Sequence, residues 1–116
     1  MLETLLAIFA WGAVAFVALA LGLMAANKER GLTLIQHRTD MLPQAMLVRY
    51  AGLGALALVA AVFGAPRLLF AMLLAFAVIG LGDAAVYRHS GHPFWMHLAV
   101  GVLAGIGAII AAFSIT

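Results

Sequence analysis

LLAIFAWGAVAFVALALGLMAA, Leu5 through Ala26, is a run of 22 residues without a charged or amide side chain. As an α-helix it spans about 33 Å, the thickness of a bilayer's hydrocarbon core. A helix apolar on every side has no polar face to give to water, so it belongs in lipid or at the centre of a much larger protein. Met1-Leu-Glu supplies no basic region ahead of the run, and the run is longer than a signal-peptide core. A spanning helix is therefore expected, with cleavage after Ala25-Ala26 as the weaker alternative.

The rest of the chain repeats this pattern. Of 116 residues, 67% are hydrophobic and 9% charged, with a mean hydropathy of +1.20. A soluble domain of this size buries only about two-thirds of its chain surface and has nowhere to hide so much apolar area. Four spans follow from the apolar runs: residues 4–26, 43–63, 66–87 and 93–115. Pro43, Pro66 and Pro93 each open a run, where the missing proline N–H costs no helical bond. Thr39, Asp40 and Ser90 stand upstream as cap candidates. The expected fold is all-α: an integral membrane protein, residues 1–116 forming one antiparallel bundle of four transmembrane helices.

Gly64-Ala65 joins the second and third spans, so these should pack as a hairpin. Arg88 to His92, with Ser90-Gly91, joins the third to the fourth. The first loop, Asn27 to Leu42, is longer and polar, and its Gly31-Leu-Thr-Leu-Ile35 segment suits the interface. Lys28, Arg30, Arg38, Arg49 and Arg88 fall on one side and Arg67 on the other. The positive-inside rule then makes loops one and three cytoplasmic and leaves both termini outside an inner cell membrane.

The formal net charge of +2 arises from this loop asymmetry. No basic patch interleaved with aromatics is present, so a nucleic-acid partner is not expected. Cysteine is absent, which excludes disulfides, thiolate metal sites and thiol nucleophiles. No glycine-rich phosphate loop, nucleophile elbow or Walker-type lysine occurs. His37, His89 and His92 lie in loops, and a zinc site from His89, His92 and Asp40 is a minor alternative to solvated side chains. Only His97 lies within a span, which disfavours haem held between two histidines. No cofactor or metal is expected. Trp95, beside Pro93, fits an interfacial aromatic belt, whereas Trp11, two turns into its span, suits packing or a pocket wall.

The chemistry converges on three residues. Arg49 lies two turns into the second span, Asp83 one turn before the end of the third, and His97 one turn into the fourth. With alternating helix directions all three lie roughly 5–10 Å below one membrane face. A carboxylate in lipid must find a partner, take a proton or face water. Tyr87 shares the face of Asp83 and Tyr50 adjoins Arg49. Gly101, one turn after His97, leaves space beside the imidazole. One reading is structural: Arg49 and Asp83 pair and knit two spans, at about 0.6–2 kcal/mol. The other is a pocket with Tyr87, Tyr50, Gly101 and Trp95 around candidate catalytic residues Asp83, His97 and Arg49. There an imidazole titrating near neutrality would pass protons with Asp83, and Arg49 would hold developing negative charge.

Leu47-Val-Arg-Tyr-Ala-Gly-Leu-Gly-Ala-Leu-Ala-Leu58, Gly82-Asp-Ala-Ala-Val-Tyr87 and His97 together resemble the small four-helix membrane family filed as domain of unknown function 4267. The resemblance covers residues 46–115. It implies that Arg49, Asp83 and His97 belong to one site, and it brings no activity. Tyr50 stands where the family pattern has an acid, so no role of that acid carries over.

Gly101-Val-Leu-Ala-Gly105, extended by Ala104, Gly107, Ala108 and Ala111, lets helices approach closely. It serves either packing within the bundle or a homo-oligomer through Gly101 and Gly105. The function expected first is an accessory or structural subunit of a larger membrane complex, because span one carries no polar residue between Thr4 and Asn27. The alternative is a small enzyme or binder for a lipophilic substrate such as a quinone, isoprenoid or sterol-like compound. A proton-coupled transporter comes third, because the far halves of the spans are so poor in polar groups. Besides the bilayer, the partners expected are therefore larger subunits, a second copy or a lipophilic small molecule.

Overall fold

The computed structural model describes residues 1–34 and 39–115. Ile35, His37, Arg38 and Thr116 lie outside the described residues, as does the side chain of the cap candidate Thr39. Among the described residues the chain is helical and has no strand. The elements are α1 (Leu2–Ala26), α2 (Lys28–Leu34), a 3-10 turn (Thr39–Met41), α3 (Leu42–Phe63), α4 (Pro66–His89) and α5 (Trp95–Ile115). Helices α1, α3, α4 and α5 are each long and apolar enough to cross a membrane. Pro66 is the first residue of α4. Pro93 differs from expectation: α5 starts two residues later, so Pro93 closes the preceding turn and lies outside the helix.

The chain divides into two compact units, Met1–Arg49 and Tyr50–Thr116. In the first, α2 is a short helix folded back on the end of α1. Asn27 makes this turn. Its N–H donates to the Leu23 carbonyl, ending α1, and its side-chain oxygen accepts the Arg30 N–H at 3.2 Å, capping α2. Gly31 is buried here, because any Cβ on it would meet Met24, whose Cα would lie only 2.6 Å away. Within this unit Trp11 stays 73% exposed, so α1 and α2 do not supply the packing or pocket wall the sequence led us to expect.

The second unit is organised by α4 and α5. Each carries a stripe of small buried residues at helical spacing: Ala77, Gly80 and Ala84 on α4, and Gly101, Ala104, Ala108 and Ala111 on α5. Their contacts run in opposite order along the two helices, as in an antiparallel pair. Gly80 meets Gly101, Ala77 lies beside Gly105, and Leu73 covers Gly107. The small residues of α5 are thus used inside the chain. Gly101 packs on α4 backbone, and Gly105 lies beside Ala77.

The turn between α4 and α5 is a Schellman motif. Gly91 takes φ 77°, its N–H donates to the Arg88 carbonyl, and the His92 N–H donates to the Tyr87 carbonyl. The accompanying side-chain contact is present too, His92 lying edge-on to the Tyr87 ring at 6.4 Å. At the other end of α4, Gly64 ends α3 with φ 64° and donates to the Ala60 carbonyl. Helix α3 keeps its backbone farther from the pair: within this unit none of its Cα atoms comes within 8 Å of α4 or α5, although Ala60 on α3 is fully buried.

Candidate functional site

Because α3 stands off from the α4/α5 pair, a cleft of about 530 Å³ opens among the three helices. Each helix contributes one stripe of its surface. Tyr50, Leu53, Gly54 and Ala57 come from α3, Phe76, Ile79, Gly80 and Asp83 from α4, and Met96, His97 and Val100 from α5. The α3 and α4 stripes have the i, i+3, i+4, i+7 spacing of a single helix face, and on α5 Met96 and His97 lie four and three residues before Val100. The walls are aliphatic and aromatic, and the polar groups gather at Asp83, His97 and Tyr50.

Asp83 and His97 face each other across the α4/α5 contact, each one turn from the Gly80–Gly101 crossing and on the same side of it. The His97 Nδ1 lies 3.8 Å from the Asp83 Oδ2. That is ion-pair distance and too long for a hydrogen bond. Neither side chain is sealed: His97 retains 32% and Asp83 40% of its side-chain exposure. Among the described residues neither makes a side-chain hydrogen bond, so Nε2 and both carboxylate oxygens keep free capacity. Tyr87, one turn beyond Asp83, stacks on the imidazole with ring centroids 4.7 Å apart and planes 23° from parallel. The ring is thus clamped on one face by Tyr87 and held at one edge by Asp83.

The other residues named from the sequence fall out as follows. Tyr50 lines the cleft. Gly101 does not: the space expected beside the imidazole is filled by α4 backbone, since a Cβ on Gly101 would lie 2.7 Å from the Leu81 nitrogen. Trp95 also lies off the cleft wall. It is 70% exposed and stacks on Phe94, over which the Arg88 guanidinium sits at 5.9 Å. Arg49 closes the first unit, and its Nη1 donates to the Ala45 carbonyl at 3.4 Å. Phe76, Ile79, Met96 and Val100 were not singled out beforehand. The first two lie one and two turns before Asp83 on the same face, so counting back from the acid would have found them.

A second groove of about 390 Å³, on the α4/α5 pair from Phe70 to Phe113, has purely apolar walls and offers no chemistry. Among the described residues no group of three or more His, Asp or Glu could hold a metal ion. No family model matches the chain, and no curated protein or solved structure matches it.

Proposed function

We propose that this protein is a small multi-pass membrane protein that binds a lipophilic small molecule in the cleft at Asp83 and His97 and exchanges a proton with it. The observation that supports this reading most is the cleft itself. It falls within the range of about 300–1,000 Å³ typical of small-molecule sites, and it combines apolar walls with a few convergent polar groups. An ionisable pair at membrane depth is by default a functional one. In this reading the four apolar helices form an antiparallel bundle, with loops one and three in the cytoplasm. The resemblance to the family of unknown function groups Arg49 with Asp83 and His97 by sequence pattern, and the binding reading asks nothing of it.

The accessory-subunit reading is supported by α1, which carries no polar residue between Thr4 and Asn27 and so suits contact with lipid or a neighbouring protein. Native mass spectrometry of the chain, gently extracted from its own membrane, separates the two. A chain carrying a discrete small molecule is the expected result. A chain that arrives only with larger subunits, and empty of small molecules, overturns the binding reading in favour of the accessory one.

A further inference from the structure

Resting on that reading, we infer that the ligand's head is an uncharged hydroxyl, aliphatic or phenolic, on a lipophilic body, and that anionic amphiphiles are rejected. The polar end of the cleft holds one strong acceptor and one group able to donate. Asp83 offers two carboxylate oxygens, and His97 offers the Nε2 left over when Nδ1 faces Asp83. A hydroxyl is the smallest head that serves both, because it can donate to the carboxylate or to a bare Nε2 and can accept from an Nε2–H. A phosphate or carboxylate head would meet the Asp83 carboxylate with like charge. No lysine or arginine is among the lining residues to offset that charge.

The cleft is open along its side, and its walls away from the acid are apolar: Leu53, Ala57, Phe76, Ile79 and Val100. A ring or the first part of a chain therefore sits against these residues, and a longer tail continues into lipid. The Tyr87 ring stacked on the imidazole keeps Nε2 from swinging away as the head docks.

The test uses the intact wild-type protein in lipid nanodiscs and four photoreactive probes that share one alkyl chain. One is an alkylphenol, one its methyl ether, one the matching benzoate and one the matching trimethylanilinium. Crosslinked peptides are mapped by mass spectrometry. The expected result is saturable labelling of α3 and α4 cleft residues by the phenol, with the methyl ether at least about tenfold weaker, the loss of one hydrogen bond to a charged acceptor. The benzoate should label no better than the ether, and the anilinium less than the phenol. Equal or stronger labelling by any of these three overturns the hydroxyl inference while leaving the binding site standing. Failure of all four probes to label the cleft saturably overturns the binding reading itself.

Discussion

Gly80 and Gly101 meet backbone to backbone: a Cβ on Gly80 would lie 2.7 Å from the Gly101 Cα, and one on Gly101 2.7 Å from the Leu81 nitrogen. Neither distance is open to a real Cβ, and the obstructing atoms are main chain, which cannot rotate aside. This crossing sets the distance between α4 and α5, and so the distance between Asp83 and His97, one turn away on each helix. Gly101→Ala should therefore destabilise the second unit by about 1–3 kcal/mol, as overpacking does. Gly82→Ala, with no atom within 4 Å of its Cβ, should be neutral or slightly stabilising. Reversible unfolding of both variants in detergent checks the contrast. Equal stability for the two would mean the helices separate without cost.

Gly91 carries the turn that brings His97 back towards Asp83. At φ 77° a side chain is strained whatever the space around it, and no atom lies within 4 Å of its would-be Cβ. Gly91→Ala should cost about 1–2 kcal/mol, from backbone conformation alone. Gly91→Asn should cost less, because asparagine tolerates the left-handed region. If both variants unfold alike, the loss has another source than φ.

The division between what the sequence conveyed and what it did not follows the physics of each feature. Helix positions were legible because hydropathy and proline punctuation are local: α4 begins at Pro66 and α3 ends at Phe63, as expected. Ser90, expected as a cap ahead of the fourth span, instead ends α4, and Gly91 after it takes the positive φ of the turn. Helix packing was legible only in part. The small residues of α5 announced a close contact but not its partner, since glycine on lipid-facing and chain-facing surfaces looks the same in sequence. Gly101 was accordingly assigned to the pocket, although it seals the contact beneath it. The Asp83–His97 pairing was legible because two polar residues in apolar helices have few partners. The rest of the cleft was not, because Phe76, Ile79 and Val100 are ordinary apolar residues until the stand-off of α3 makes them a wall.

Tyr87 acts on His97 through its ring, not its hydroxyl. The stacked geometry, 4.7 Å between centroids and 23° between planes, uses the π-face alone. Offset aromatic pairs contribute about 0.5–1.5 kcal/mol beyond the area they bury. Tyr87→Phe should leave the His97 environment and probe labelling unchanged. Tyr87→Leu should free the imidazole and reduce labelling by the phenol severalfold. The His97 imidazole resonances in NMR of labelled protein report the first effect directly. A Tyr87→Phe variant as impaired as Tyr87→Leu would transfer the role to the hydroxyl.

Gly54 gives the sharpest separation of fold from function. It lines the cleft from α3, yet a Cβ built on it meets nothing within 4 Å. The missing side chain is therefore not demanded by a close backbone contact, as it is at Gly80 and Gly101. It leaves open volume beside Ala57 and Tyr50. Gly54→Leu should fold at least as well as wild type, because leucine is the better helix former by roughly 0.5–1 kcal/mol. It should also put an aliphatic side chain into the space a ligand would take. Thermal unfolding together with native mass spectrometry is the check: stability held or raised, and the small molecule gone. A stable Gly54→Leu protein that still carries its ligand would move the binding site out of this cleft. An unstable one would mean that α3 closes onto the α4/α5 pair at Gly54.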